Sequence, residues 1–391
     1  MSKKQLGGVT VIPSFSGLYQ ALKDEFGIVI DTVTFIRMLN RLLSDIRITK
    51  PAEVLGKIYY CDKFRKYSLP IYFRDPIGLR DGSYGLLSRV SPGIMSQYAC
   101  GEMYALQNNN GVLYSEILHS KFVGSSSIIT SCESLTTDGV WTAGSGISSI
   151  ALNSVTKYEG NYSLGFDITG SQATITFIRT SVIDASSFSE HQGFGGHFWF
   201  PTKPSSVVLR WGNDSSNYYS QTLTKQSSGE EFDTTDRDEL IVNRNSTTMT
   251  GTVDDATIDW FQIEYNFSTS ITDTDFLIDY LILFKPEILT LEYYTSCLAK
   301  DISGNLLPKI TETVNTTDLP LVYDEYLQTI LDGLCWRYFL KKDKELAEQY
   351  RGMYEGRYAP SGALTGGLRY LLRKYPDRTQ YPRQTIRLPA L

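Results

Sequence analysis

The chain has 391 residues, 41% hydrophobic, 13% aromatic and 20% charged. At roughly 100 to 200 residues per domain this predicts two or three domains and excludes a chain that is disordered throughout. No 18 uncharged apolar residues run together and MSKKQLGGVTVIPSF lacks an apolar signal core, so a soluble protein without membrane insertion is expected. Cys61, Cys100, Cys132, Cys297 and Cys335 are far apart and form no CxxC pair, which argues against a disulfide framework or a zinc site. His119, His191 and His197 are the only histidines, too few for the usual schemes of metal hydrolysis or Ser/His and Cys/His catalysis. An enzyme is not expected.

The net charge of -6 is unevenly spread: residues 130–285 hold 8 Lys+Arg against 20 Asp+Glu, a net of -12, and the remainder is basic. Ser, Thr and Gly rise in the same stretch. The break predicts an α+β multidomain chain, in which a discontinuous helical host domain with a small antiparallel sheet carries an inserted all-β jelly-roll sandwich. The expected bounds are 1–129 and 286–358 for the two halves of the host, 130–285 for the insert, and 359–391 for a basic extended arm.

In chain order, Leu18, Leu22 and Phe26, then Ile36, Leu39, Leu42/Leu43 and Ile46, recur at helical spacing over 14–46. Gly27 separates two helices and Asp31 or Thr32 caps the second, with Arg37, Asn40, Arg41 and Asp45 facing away from its apolar stripe. From 54 to 120, runs such as GKIYYCDKF and GVLYSEIL predict short strands, with a hairpin at Asn108-Asn109-Asn110-Gly111. Between 130 and 285, segments such as ATITFIRT, SVVLRWG and ATIDWFQIEYNF alternate with turns, the pattern of a β-sandwich or jelly roll. The run GEEFDTTDRDE, Gly229 to Glu239, reads as a solvated acidic loop, and no spacing among Asp254, Asp255, Asp259 and Glu264 singles out a hydrolytic pair.

In this sandwich Trp199, Trp211, Asn217, Tyr218, Tyr219 and Trp260 are the candidate saccharide-binding residues. Sugar C-H faces stack on aromatic rings, and hydroxyls accept hydrogen bonds from amide N–H groups and donate them to carboxylates. The alternative is that the rings fill the two inner sheet faces. Beyond Pro286, Tyr323, Leu327, Ile330/Leu331, Leu334 and Tyr338 form a helical stripe, Asp343 caps a second helix through Tyr350 and Tyr354, and a proline-punctuated basic tail follows.

Two resemblances bear on function. The "CES...W" opening, "YEGNYSLGF", "LRWGNDSSNYY" and the closing "IDYL" resemble the carbohydrate-binding-module-like jelly rolls of phage virion proteins. That resemblance implies weak glycan binding and allows a structural calcium between Glu133 and Asp279, with no other cofactor required. The segment LVYDEYLQTILDGLCWRYFLKKDKELAEQYRGMYEGRYA is similar to the C-terminal helical hairpin of tailed-phage neck proteins. It implies a virion protein assembled in the host cytoplasm as a homo-oligomeric head-to-tail connector ring. The implied partners are the portal, tail proteins, DNA in the channel and a host-surface glycan. Trp336, Arg337, Tyr350, Tyr354, Arg369, Arg373, Arg378 and Arg383 would make the oligomer or portal contacts. The alternative reading is a carbohydrate-binding adsorption protein of the virion.

Overall fold

The computed structural model describes residues 15–49, 52–83, 85–98, 101–109, 111–122, 124–313, 316–321, 327–358, 364–365 and 367–369. Two helices, α1 (Phe15–Phe26) and α2 (Thr32–Thr49), open the chain. They are followed by β1 (Ala52–Tyr60), β2 (Lys66–Ser68), β3 (Phe73–Arg80), β4 (Leu86–Arg89), the short helix α3 (Pro92–Met95), β5 (Glu102–Asn109) and β6 (Val112–His119). Next come β7 (Ser125–Thr130), β8 (Gly139–Ala143), β9 (Ile147–Asn153), β10 (Ser163–Ile183), β11 (Gly193–Trp199), β12 (Ser206–Asp214), β13 (Asn217–Leu223), β14 (Asp238–Asn243), β15 (Thr248–Thr250) and β16 (Ile258–Lys285). The chain continues through β17 (Glu287–Thr295), β18 (Ala299–Lys300), β19 (Leu306–Leu307), β20 (Leu319–Pro320), α4 (Leu327–Phe339), α5 (Lys344–Glu355), β21 (Arg357–Tyr358) and β22 (Leu364–Thr365). No helix among the described residues is long and apolar enough to cross a membrane.

The chain divides into two compact units, Met1–Leu55 with Pro70–Ile77 and Glu292–Leu391, and Gly56–Leu69 with Gly78–Leu291. The first is the discontinuous helical region, with the small antiparallel sheet β19-β18-β20. Its core joins Leu22, Phe35, Leu39, Leu42 and Ile46 from the N-terminal helices to Ile330, Leu331, Leu334 and Cys335 of α4. The Asp31 carboxylate accepts the Thr34 N–H at 2.9 Å, and Asp343 accepts those of Glu345 and Leu346 at 3.0 and 3.1 Å, so both expected caps form. Gly333 brings α2, α4 and α5 close together, since a Cβ there would lie 2.8 Å from both the Leu42 and Tyr354 side chains. One expectation for α2 is corrected. Asn40 is buried, because its amide exchanges hydrogen bonds with the Ile310 backbone at 3.0 and 2.9 Å and so needs no water.

The second unit contains the jelly-roll-like β-sandwich, ten strands hydrogen-bonded into one nearly closed sheet. Two long strands build it. The first half of β10 pairs with β9 and with residues 271–278 of β16, and its second half pairs with β8 and residues 260–266. A bulge between Gly170 and Gln172 carries the strand from one layer into the other. One layer runs outward from β16 through β11 to β14, the other through β12 and β13 to β15. Between them Phe194 meets Trp211 and Phe261 at ring-centroid distances of 5.6 and 5.7 Å, at the centre of a core that includes Ile175, Phe177, Leu209, Ile263 and Tyr265.

The sandwich does not stand apart from the strands before it, as bounds of 130–285 would have it. Residues 56–69 and 78–129 belong to the same compact unit, and the reason lies in the acidic run. Glu239 is buried and its carboxylate accepts the N–H groups of Arg65 and Lys66, each at 3.1 Å. The Asn109 amide donates to Glu230 at 2.6 Å, and the Ser68 N–H donates to the Ser227 carbonyl at 2.9 Å. Phe64 packs 5.3 Å from the His197 ring and against Gly195, where a Cβ would come within 2.8 Å of it. The expectation of a solvated acidic loop is therefore corrected at Glu230, Asp238 and Glu239, all buried. Burial is tolerated because their carboxylates satisfy donors that would otherwise be unpaired.

Trp211 has no exposed surface and its indole N–H donates to Gln192 at 2.8 Å. Trp211→Ala is expected to lower the unfolding free energy by about 3 to 5 kcal/mol, whereas Tyr218→Ala, at a half-buried position, should lower it by about 1 kcal/mol or less. Chemical denaturation of the two variants followed by intrinsic fluorescence checks the difference.

Candidate binding face

Alternation along the central strands sends one set of side chains into the core and the next out of the sheet. In β16, Phe261, Ile263 and Tyr265 are core residues, so Trp260, Gln262, Glu264 and Asn266 lie on the outer side. In β12, Val207, Leu209 and Trp211 point inward and Arg210 outward, and in β10, Ile175 and Phe177 leave Thr176 and Ile178 outside. The registers align these into two rows across neighbouring strands. One runs Val140, Ile178, Trp260, Gly212, Tyr218; the other runs Thr142, Thr176, Gln262, Arg210, Ser220. Five strands at a spacing of about 4.8 Å give each row a length of about 19 Å.

The second row is a hydrogen-bonded ladder. Arg210 donates through Nη1 to Gln262 Oε1 at 2.7 Å and through Nη2 to Glu264 Oε2 at 2.9 Å. Gln262 Nε2 donates to Thr176 Oγ1 at 3.1 Å, and Asn266 donates to Glu264 at 3.0 Å. Burial would raise the Glu264 pKa, but the hydrogen bonds from Asn266 and Arg210 and the charge of Arg210 outweigh it and hold the carboxyl below its ordinary value. Above this ladder the Tyr218 and Trp260 rings lie 5.6 Å apart, with the Arg210 guanidinium 5.9 Å from the Tyr218 ring. The face thus sets an apolar and aromatic strip, including the exposed Val140 and Ile178, beside a row of fixed donors and acceptors.

Of the six candidate residues, the fold brings Tyr218 and Trp260 together on this face, with Trp260 itself 7% exposed. Trp211 and Tyr219 also meet, at 5.5 Å, but inside the core. They are corrected as ligand contacts, since their phase along β12 and β13 turns them inward. Asn217 shapes the β12–β13 turn, donating to Asp214 and accepting the Thr252 N–H. Trp199 lies in a separate cleft with Asp236 and Asp275. Arg210, Gln262 and Thr176 join the face beyond those six candidates, and their signal in the sequence is the two-residue alternation of SVVLRWG, ATIDWFQIEYNF and ATITFIRT.

Glu133 and Asp279 converge on one loop. Glu133 accepts the N–H groups of Asn161 and Tyr162 at 2.7 and 3.1 Å, and Asp279 Oδ2 accepts those of Tyr158 and Glu159 at 2.7 and 3.3 Å. Asp279 Oδ1 is buried without a hydrogen-bond partner. Among the described residues no group of three or more His, Cys, Asp or Glu is placed to hold a metal. Asp255 accepts hydrogen bonds from Arg244 and Tyr219, and Asp254 caps the turn at Ala256 and Thr257.

The residues expected to meet a portal or a neighbouring subunit are engaged within the helical unit. Trp336 stacks on Tyr354 at 5.6 Å, Tyr350 stacks on Phe339 at 5.7 Å, Arg337 pairs with Asp45 at 2.6 Å and Arg369 with Glu355 at 3.3 Å. Arg373, Arg378 and Arg383 lie outside the described residues.

No protein-family model matches the chain, and no curated protein matches it. Among solved structures it is similar to the family 11 carbohydrate-binding module from Clostridium thermocellum in complex with a β-1,3-1,4-mixed-linked tetrasaccharide. That match has 13% identity over 41% of this chain and 95% of that one, with a TM-score of 0.31. A family 30 carbohydrate-binding module of a Clostridium thermocellum cellulosomal cellulase matches at 9% identity over 42% and 96%, TM-score 0.30. An exo-β-agarase matches at 7% identity over 41% and 24%, TM-score 0.28. At these scores the likeness does not extend to ligand or activity, and the sandwich rests on its own strand pairing and core.

One buried acid gives the unit a pH signature. Burial pushes the Asp238 carboxyl up to about 8; the N–H of Asp233 opposes this and the Asp233 charge adds to it. A carboxyl with a folded pKa above its unfolded value of about 3.9 holds its proton more tightly when folded. Stability from this group therefore falls as the pH rises from about 4 to about 8 and returns as the pH is lowered. Asp238→Asn keeps an acceptor for the Asp233 N–H and removes the charge, so the melting temperature is expected to vary less between pH 5 and 8, with a gain of several degrees at pH 8. Calorimetry across that range measures both.

Proposed function

We propose that the protein is a non-catalytic saccharide-binding protein, the adsorption protein of a virion, whose sandwich lays a glycan across β8, β10, β16, β12 and β13. The observation that carries this is the Arg210–Gln262–Glu264–Thr176 ladder beside the Tyr218–Trp260 pair. A guanidinium has five N–H donors and a carboxylate about four lone-pair sites, so the ladder's internal bonds leave groups free to meet sugar hydroxyls. Because those bonds already fix the side chains, a ligand loses little further rotamer freedom on binding them. The aromatic strip offers the sugar's C-H face an apolar support. The virion setting is supported by the sequence resemblance alone, and the helical unit would serve as the anchor.

A ring-forming connector between portal and tail is the second reading. It is favoured by the α4–α5 hairpin with its charged turn, which has the form the neck-protein resemblance implies. It is weakened by the engagement of Trp336, Arg337, Tyr350 and Tyr354 inside the unit.

A glycan array probed with the full chain, followed by titration calorimetry on the retained glycans, tests the first reading. Arg210→Ala and Tyr218→Ala are each expected to weaken binding by about tenfold or more, with the melting temperature moved by only a few degrees. Variants that bind like the wild type would overturn the assignment of the face. A ring seen by native mass spectrometry, with no glycan retained, would replace the adsorption reading with the connector.

A further inference from the structure

We propose a second saccharide site in the cleft at Trp199, distinct from the sheet face, and that it takes a sugar bearing a free amine. The cleft is about 430 Å³, within the range of small-ligand sites, and its lining includes Trp199, Asn153, Thr156, Thr235, Asp236 and Asp275. It stands independently of the sheet face, none of whose ladder residues lines it.

Charge identifies the ligand. The lining contains two carboxylates and no Lys, Arg or His. Among the described residues neither Asp236 nor Asp275 forms an ion pair, and the cations adjacent in sequence are held elsewhere. Arg237 lies over the Tyr158 ring at 4.5 Å and donates to Glu239 at 3.3 Å. The Lys157 ammonium donates to the carbonyls of Ser154 and Asn161 at 3.2 and 3.1 Å, and Lys203 pairs with Glu231 at 2.6 Å. A cleft with two uncompensated negative charges concentrates cations.

The uncharged lining argues for a sugar amine over a bare cation. Trp199 is half-buried and supplies a ring on which a pyranose face can rest and toward which an ammonium is drawn. Asn153 Oδ1 is occupied by the N–H groups of Val155 and Thr156, which fixes the side chain and leaves its amide N–H donors for a hydroxyl. Thr156 and Thr235 add hydroxyls that both donate and accept.

The test is titration calorimetry of the full chain with an unacetylated glucosamine oligomer, its N-acetylated counterpart and a glucose oligomer of equal length. The unacetylated oligomer is expected to bind, to bind more weakly as salt rises from about 50 to about 500 mM, and to exceed the other two by about tenfold. Asp236→Asn should lower this affinity by about five- to tenfold, as should Asp275→Asn, a change suited to the left-handed φ of +68° at that position. Trp199→Ala should abolish binding and Arg210→Ala should leave it unchanged. Equal binding of the acetylated and unacetylated oligomers, or wild-type affinity in both Asn variants, would overturn the proposal. Loss of the amine sugar in Arg210→Ala would transfer that ligand to the sheet face, whereas loss of only a neutral glycan there would leave the cleft site intact.

Discussion

The pairing of β10 with β16 is the constraint on which the sandwich depends. These strands run antiparallel through both layers, so one register fixes the two sheets together. That register places Phe177 opposite Phe261 and Ile175 opposite Ile263 inside the core. The same register puts Thr176 opposite Gln262 and Ile178 opposite Trp260 outside it. Because side chains alternate with a period of two, a slip by one residue would bury the ladder and expose the aromatic core. The outer face is therefore held in place by the free energy of the inner one.

The electrostatics of the unit follow from where its acids lie. The region is strongly acidic, yet several of its carboxylates are internal fittings. Glu239 closes two backbone N–H groups, Glu230 takes the Asn109 amide, and Glu133 and Asp279 secure the 158–162 loop. His119 forms a comparable junction among the neighbouring strands, with Glu102 on Nδ1 and Glu287 at 3.1 Å from Nε2. The acids that remain exposed, Asp236 and Asp275 among them, set the character of the open surface.

Local signals were legible in the sequence and distant ones were not. The four longer helices followed from spacings of three and four, and Asp31 and Asp343 were identifiable as caps because a cap acts within three residues. The sandwich is visible as a strand-rich acidic block, but the length of its central strands is not: GSQ between SLGFDIT and ATITFIRT, and STSITDTD between ATIDWFQIEYNF and FLIDYLILF, read as turns, whereas β10 and β16 pass through them. Tyr218 and Trp260 could be nominated as aromatics near polar groups. Which ring of the Tyr218–Tyr219 pair faces outward could not be decided, since a two-residue period with aromatics in both phases has no preferred sense. The acidic run was misread for another reason: Glu239 finds its partners at Arg65 and Lys66, 174 and 173 positions away, and no local pattern encodes such a pairing.

Buried carboxylates that join distant segments also determine how the chain can be taken apart. A fragment of residues 130–285 includes every strand of the sandwich except most of β7, and composition would recommend it as a module. It would nevertheless strand Glu239 without the Arg65 and Lys66 amides, Glu230 without Asn109, and Gly195 without the Phe64 ring that fills the space above it. The acids would then have to take up water or protons where a preceding segment now serves them. The compact unit that contains all of these partners is 56–69 together with 78–291, and exchange of the sandwich between proteins would have to carry the earlier strands with it.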